Sequence, residues 1–525
     1  MHRNDEVGGP YAKYVLCVLL VVYIFNFVDR QLLSILAEAI KADLHLADAQ
    51  IGFLYGTAFA VFYAVFGIAL GRLADLWVRK AVIAIGLALW SLMTALSGTA
   101  RGLFSLACYR FGVGIGEASA TPAAFSILSD YFSPRVRATV LAIYSSGIFI
   151  GSGVGLFLGG TIVELWGRAY ADPALAPFGL APWQAAYVLV GLPGLLVAAL
   201  VATLREPRRG MSDGIETPTH PRPFRETGAE FLSLLPPFAL IRLARHGGLR
   251  AALVNLTAAI GIAVAAFELY RWFGSASQWV AFGAGAYVAF SWVQNLKLRD
   301  PPTHRMIFGC PTIVCVLIAF PCFEFIGYGL GFWGVPFMLR VHDVEAGELG
   351  RTIGVLAAVG GFIGVVGGGA LTDFLKQRNP NAGLYVSVAV PLLTALVNVW
   401  FLFTKSLLIA YAMSFVSNVA GALYLGIAAA MINDLVLPRM RATASAFYLL
   451  MITFVGLALG PFAIGELSDH LAALGHTPGD ALRYAQLSAL AILAIPTVAI
   501  LIATRHLVRD RATVLERARA AGEAV

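Results

Sequence analysis

Three groups of ionisable residues interrupt long apolar runs, and each could do chemistry away from water. The first is Asn26-Phe-Val-Asp29-Arg30-Gln31, an adjacent acid and base. The second is Arg110-Phe-Gly112-Val-Gly114-Ile-Gly116-Glu117, whose seven-residue spacing puts cation and anion on one helix face two turns apart. The third is Glu324, near Tyr328, Phe332 and Trp333 and flanked by Pro321 and Pro336, with no basic residue close in sequence. Ionisable groups inside apolar spans are costly and face a cavity or one another. Asp29 could bind and release a proton, burial and Arg30 acting on it in opposite senses. The same pair could instead be a self-neutralised structural unit. Arg110 suits a phosphate or carboxylate through its planar fork; it could equally tie helices together by pairing with Glu117 or Asp29. Glu324 reads as a proton or headgroup site. The neighbouring aromatics either line an apolar ligand path or pack as core.

Other motifs suit movement. Gly71-Arg-Leu-Ala-Asp75-Leu-Trp-Val-Arg79-Lys80 forms a short basic loop after the second apolar run. Gly71 permits close helix approach, Asp75 can cap or ion-pair at a helix end, and Arg79 and Lys80 anchor the loop. We expect a conformational latch that pairs Asp75 with basic residues across the interface between two half-bundles; the simpler reading is a topology anchor. In the fifth run, glycines from Gly147 to Gly160 recur at the spacing of a close-packing membrane helix face.

The elements that must carry these residues are membrane helices. Hydrophobic residues make up 59% of the 525 and charged ones 13%, where a soluble domain has about 25% charged. Apolar runs long enough to cross hydrocarbon as helices recur throughout. We place fourteen, near 14–36, 50–71, 81–99, 103–127, 138–163, 183–204, 251–270, 277–296, 307–337, 352–373, 383–403, 407–433, 443–466 and 484–504. The stretch from Arg205 to about Gly228 is polar and reads as a flexible linker, and 231–248 as an interfacial helix. The net charge of +7 sits in short clusters between runs, which marks topology rather than nucleic-acid binding. Lys and Arg favour one set of loops by roughly three to one, predicting both termini in the cytoplasm. The five cysteines all fall in apolar runs and read as buried small hydrophobes, with no metal or disulfide spacing.

The chain also repeats itself. Asp130-Tyr-Phe-Ser-Pro134-Arg135-Val-Arg137-Ala-Thr139, with Tyr144, returns 304 residues later as Asp434-Leu-Val-Leu-Pro438-Arg439-Met-Arg441-Ala-Thr443, with Tyr448. Gly71-Arg-Leu73-Ala-Asp75 returns as Gly369-Ala-Leu371-Thr-Asp373, displaced by 298. The expected organisation is an N-terminal six-helix bundle (1–204), an insert of linker, interfacial helix and hairpin (205–300), a second six-helix bundle (301–506) and a tail (507–525). The paired loops supply the candidate gating residues Gly71, Asp75, Arg79, Lys80, Arg135, Arg137, Asp373, Arg439 and Arg441. Two like-oriented halves suit alternating access about a midplane site.

Taken together, Asn26–Gln31, the Tyr109–Ala118 segment, Ser133–Ala138 and Gly327-Tyr-Gly-Leu-Gly-Phe332-Trp resemble the spinster branch of the major facilitator superfamily. The resemblance covers the twelve main spans and implies an all-α transmembrane major facilitator fold with two extra helices. Animal members are lysolipid exporters, of sphingosine 1-phosphate or lysophospholipids. By resemblance, Asp29 and Arg30 belong to proton coupling and Arg110 with Glu324 to headgroup binding; from the residues themselves we expect Glu117 in the polar floor of the same substrate cavity and Tyr328 and Phe332 in its walls. The resemblance further implies a proton gradient in place of a cofactor, a monomer in a bacterial plasma membrane, and lipid but not nucleic acid as partner. A carrier of small organic anions or drugs and an uncoupled lipid channel or scramblase are the competing readings. A membrane enzyme lacks support: no His-x-x-x-x-Asp pair, Ser/His/Asp set, metal cluster or nucleotide loop occurs, and His45, His304, His342 and His470 are scattered in loops.

Overall fold

The computed structural model describes residues 7–212, 221–232, 235, 238–342, 344–379 and 381–523. Its elements are all helical among those residues. The first half comprises α1 (Pro10–Leu44), α2 (Asp48–Tyr55), α3 (Thr57–Leu76), α4 (Arg79–Ser97), α5 (Leu103–Glu117), α6 (Ala120–Tyr131), α7 (Pro134–Ser145), α8 (Gly147–Ala169) and α9 (Pro182–Thr203). Then come α10 (Pro223–Leu232), α11 (Phe238–Phe273), α12 (Ala276–Arg299) and α13 (Pro301–Phe308). The second half comprises α14 (Pro311–Val341), α15 (Ala346–Lys376), α16 (Ala382–Phe403), α17 (Leu407–Ala422), α18 (Leu425–Asp434) and α19 (Arg441–Met451). It continues through a π-helical turn (Ile452–Leu457), α20 (Ala458–Ala473), α21 (Pro478–Ala489), α22 (Ala494–Ala512) and the short α23 (Val514–Ala520). Proline opens α1, α7, α9 and α14, where its missing N–H has no intrahelical partner to lose.

Among the described residues, eleven helices, several joined across short breaks, are long and apolar enough to cross a membrane. The other three expected spans are α12 and two broken ones, α5–α6 and α17–α18. The breaks, at Ala118–Ser119 and Leu423–Tyr424, differ by almost the same offset of 304 that relates the two loop motifs. Both halves therefore interrupt their fourth span at the same place.

The segment read as a flexible linker is partly ordered. Arg209 donates to the carbonyls of Ala74 and Trp77, each at 2.6 Å, and Gly210 N–H donates to Asp130 at 3.0 Å. Pro223–Leu232 is helical, so local polarity gave no warning of these tertiary hydrogen bonds. The expected interfacial helix is split between α10 and the start of α11. Gly248, at φ +70°, bends α11 at the beginning of its membrane-crossing length. Cys17 and Cys108 are exposed rather than buried.

The chain gathers into two compact units. One holds Met1–Leu46, Phe62–Leu232 and Val344–Ala358; the other holds Ala47–Val61, Ser233–Asp343 and Val359–Val525. These boundaries differ from the repeat boundaries by two short exchanged segments. Within the first unit, the start of α15 lies on α8, where a Cβ at Gly354 would come within 2.5 Å of the Gly153 carbonyl. Within the second, α2 lies on α20, where a Cβ at Gly52 would come within 2.4 Å of the Pro461 carbonyl. Close backbone approach through glycine is how membrane helices without a hydrophobic drive associate.

Candidate functional site

In the first unit, α1, α4 and α5 bring together Asn26, Asp29, Arg30, Thr94, Arg110 and Glu117, all buried. Arg30 Nε donates to Glu117 Oε2 at 2.8 Å. Thr94 Oγ1 donates to Asp29 Oδ2 at 3.0 Å. Asp29 and Arg30 are sequence neighbours, but side chains one residue apart on a helix do not face each other. The neighbours thus serve different partners, and the self-neutralised pair is not what forms. Arg110 acts electrostatically on both Asp29 and Glu117, and Asn26 lies beside Glu117. The Arg30 guanidinium also lies over the rings of Phe27 and Tyr63, at 4.8 and 5.0 Å. Asp29 Oδ1 and Glu117 Oε1 are buried without a hydrogen-bond partner. The set carries two carboxylates and two guanidiniums, so it balances only when both acids are ionised.

Glycines in this region serve helix packing. A Cβ at Gly116 would come within 2.6 Å of the Gly86 carbonyl, so α4 and α5 meet backbone to backbone. That contact, next to the break after Glu117, fixes where its carboxylate enters the interior.

In the second unit, Glu324 on α14 is buried and accepts a hydrogen bond from Tyr424 Oη at 3.0 Å. Tyr424 sits at the break between α17 and α18, ringed by Phe320 and Phe323 at centroid distances of 5.7 and 5.1 Å. Tyr328 and Tyr448 are within electrostatic range of the same cluster. The π-helical turn presses on this site: a Cβ at Gly456 would lie 2.6 Å from Cβ of Glu324. Phe332 points elsewhere. It is fully buried, 4.2 Å from Tyr55 and 5.0 Å from Trp333, and Trp333 Nε1 donates to the Pro461 carbonyl at 2.7 Å. Its packing is that of a core residue. Arg110 and Glu117 thus belong to one unit, Glu324 and Tyr328 to the other.

One ionic site escaped the sequence reading. In the second unit, both terminal nitrogens of Arg340 donate to Asp48, at 2.8 and 2.7 Å, with both side chains buried. Ser468 Oγ donates to the same carboxylate at 2.7 Å. Asp469 accepts from the Asp48 and Ala49 amides at 3.0 and 2.7 Å and so caps α2 from 420 residues away. Each is an ordinary charge near a helix end in sequence, so only the fold reveals the cluster.

The loop candidates fall into two local clusters. Arg79 is buried and donates to Asp130 (2.5 Å), Glu206 (2.7 Å), Ser126 (2.8 Å) and the Pro207 carbonyl (2.8 Å). Lys80 donates to the carbonyls of Leu204 and Ala202 at 2.5 and 3.0 Å. Arg137 donates to Ser212 at 2.8 Å, while Arg135 is exposed. Asp75 lies in the field of Arg72, Arg209 and Arg79, all in its own unit. At Gly71 a Cβ would meet Pro122 at an ordinary 3.9 Å, so close approach does not require this glycine. In the second unit Arg439 bridges Asp300 (2.8 Å) and Glu523 (2.5 Å), and Arg441 donates to the Asn433 carbonyl at 3.1 Å. Asp434 pairs with Arg511. The Asp373 side chain lies outside the described residues. Among those described, no group of His, Cys, Asp and Glu could hold a metal ion.

Comparison with known proteins places this geometry. The family model for the Major Facilitator Superfamily matches residues 19–461. The chain belongs to that superfamily. A curated MFS-type efflux pump of Mycolicibacterium smegmatis is 29% identical over 467 residues, 89% of this chain and 87% of the pump. The sphingosine-1-phosphate transporter SPNS2 of Danio rerio is 24% identical over 454 residues, 85% of this chain and 74% of that protein. A crystal structure of a bacterial homolog of the human lysosomal transporter spinster, inward-facing and occupied, superposes with a TM-score of 0.70 at 27% identity. It covers 96% of this chain and 98% of that one. The likeness to the spinster branch read from the motifs therefore holds. This member of the major facilitator superfamily is a spinster-type transporter, not an enzyme, and an integral multi-pass membrane protein.

Proposed function

We propose that the chain moves amphiphilic lysolipids by alternating access and that proton binding in the first half drives the cycle. The observation that carries this reading is the buried set of Asp29, Arg30, Arg110 and Glu117. Two acids balance two bases there, so one proton leaves a net positive charge in a low-dielectric interior. An uncompensated buried charge costs several kcal/mol, enough to favour a different conformation. Arg110, with a planar fork, suits a phosphate headgroup, and Glu324 with Tyr424 offers an acceptor and a hydroxyl to an amine. The lysolipid class draws on the likeness to the sphingosine-1-phosphate transporter. The energy source is the proton gradient, with no cofactor. The working form is a monomer in a bacterial plasma membrane, its termini in the cytoplasm.

Asp48 belongs to the first repeat and Arg340 to the second, so their pair must break whenever the repeats separate at that end.

The test is uptake of labelled lysophospholipid or sphingosine 1-phosphate into proteoliposomes, with and without an imposed pH gradient. Gradient-dependent flux that disappears in Asp29→Asn supports the reading; gradient-independent lipid flux would instead indicate an uncoupled channel or scramblase. A second reading, proton-linked efflux of drugs or small organic anions, is favoured by the likeness to the mycobacterial efflux pump. It predicts no lipid flux above empty liposomes and transport indifferent to tail length.

A further inference from the structure

The hairpin of α11 and α12 belongs to neither repeat, and its foot is built unlike the rest of its surface. From Phe231 to Arg299 the sequence holds one acid, Glu268, which pairs with Arg271 at the far end. Cations gather at the near end. Arg245 and Arg250 flank the Gly248 bend of α11, and Lys297 and Arg299 lie in the last turn of α12, all four exposed. The two helix ends meet here: a Cβ at Gly247 would lie 2.8 Å from the Leu298 side chain. On α13, burial first, then Lys297 and Arg305, hold the His304 imidazole below its usual range, so the local field is positive. The nearest acid in sequence, Asp300, is bound to Arg439.

The foot is held rigidly. Asn255 of α11 donates to Ser291 (3.0 Å) and Gln294 (2.9 Å) of α12 and accepts from Tyr287 (2.8 Å). Gln294 in turn donates to the Ala251 carbonyl at 2.7 Å. These bonds fix the register of the two helices one turn from the cations. Around the cations the surface is apolar and open, with Leu249 74%, Leu253 52% and Leu298 39% exposed. The membrane-crossing length of α11 begins at Gly247, so Arg245 lies just before it and Arg250, with Leu249 and Leu253, in its first turns.

The geometry points to a site for an anionic phospholipid at the foot of the hairpin, its phosphate held by Arg245, Arg250, Lys297 and Arg299 and its tails against Leu249, Leu253 and Leu298. Basic clusters flanking a span attract anionic headgroups by this combination of charge and depth. A bound lipid would hold the hairpin against the second repeat. Trp292 stacks on Phe447 at 5.5 Å, and Phe282 packs on Phe454 at 5.0 Å, in the π-helical turn that borders Glu324.

The test compares full-length protein in nanodiscs of phosphatidylcholine with and without phosphatidylglycerol, reading thermal midpoint and the lipids retained in native mass spectrometry. Wild type should retain phosphatidylglycerol several-fold over phosphatidylcholine and melt at a higher temperature with it. R245Q/R250Q/K297Q/R299Q should lose both effects. R271Q, at the other end of the hairpin, should keep them, as should R245K/R250K/R299K, which preserves the charge. Should the quadruple variant fail to fold, R250Q and K297Q alone are each expected to lose part of the preference. A folded quadruple variant with wild-type lipid preference would overturn the proposal. So would equal retention of the two lipids by wild type, or stabilisation by glycerol 3-phosphate that matches that of the lipid.

Discussion

Arg30 and Glu117, 87 residues apart, share a buried hydrogen bond of 2.8 Å, while Asp29 beside Arg30 is held instead by Thr94. The acid and base that sequence presents as a couple are thus divided between two helices. Asp29 keeps one oxygen without a partner, and the Arg30–Glu117 bond ties α1 to α5. This division separates a carboxylate available to a proton from an ion pair that holds helices.

The ion pair should therefore behave structurally. Glu117→Gln leaves Arg30 buried without its counter-charge and should cost about 3–5 kcal/mol of stability. Arg30→Met with Glu117→Gln should recover part of that loss. Thermal midpoints in detergent for the two single variants and the double would show it. Equal loss in all three would indicate that the pair is not the source.

Asp29→Asn should give a different signature, with flux retained down a substrate gradient but no response to an imposed pH gradient. Proteoliposome transport at matched protein density checks this. A persisting pH response would move the coupling role to another carboxylate.

The pair of Asp48 and Arg340 is bidentate and buried. Asp48→Asn should destabilise the protein by about 3–5 kcal/mol, because Arg340 loses its anion. Asp48→Arg with Arg340→Asp should restore only part, since Ser468 and Asp469 remain arranged around the original polarity. Thermal midpoints of the single and exchanged variants decide the matter.

At Glu324, Tyr424→Phe removes a hydrogen bond to a carboxylate, typically worth about 1.5–3 kcal/mol. If this site holds substrate, its affinity should fall roughly tenfold or more on that scale. Gly456→Ala forces a methyl group towards Glu324 Cβ and should lower transport of every substrate alike, at a packing cost of about 1–3 kcal/mol. Binding assays on the two variants would separate recognition from packing.

The tail helix α23 should release in acid. Glu523, just past α23, docks on Arg439, and the hydrogen bonds and charge of that guanidinium hold its carboxyl below the usual range. A depressed carboxyl stabilises docking above the unfolded value of about 4.3 and loses that contribution as pH falls through the lowered one. Amide exchange in 514–520, corrected for intrinsic rate, should stay slow at neutral pH and accelerate below about pH 4. Because Arg439 is 45% exposed, salt should weaken the same contact.

Much of the architecture was legible because lipid leaves helices no choice: apolar runs gave the spans, and the offset of 304 gave the halves. Asp29, Arg110, Glu117 and Glu324 could be singled out because a charge in an apolar run is conspicuous. Their partners could not be read. Helix neighbours face different directions, and Asp48, Arg340 and Asp469 meet across 292 and 421 residues with no local signature. Tyr424 looked like one more aromatic until the break in its helix turned it towards Glu324. Phe332 misled by adjacency, being near Glu324 in sequence but packed against Tyr55. The linker misled because polarity describes a preference for water, not the tertiary bonds that Arg209 makes.

The matching interruptions of the fourth span carry a consequence for symmetry. At the offset of 304, Arg110 corresponds to Ser414, Glu117 to Gly421, and Tyr424 to Ala120. The interruption is common to both copies, while the reactive residues around it are not. The bend therefore belongs to the repeat, while the residues beside it differ between the copies, charges in one and a phenol in the other. A symmetric frame thus carries an asymmetric division of labour.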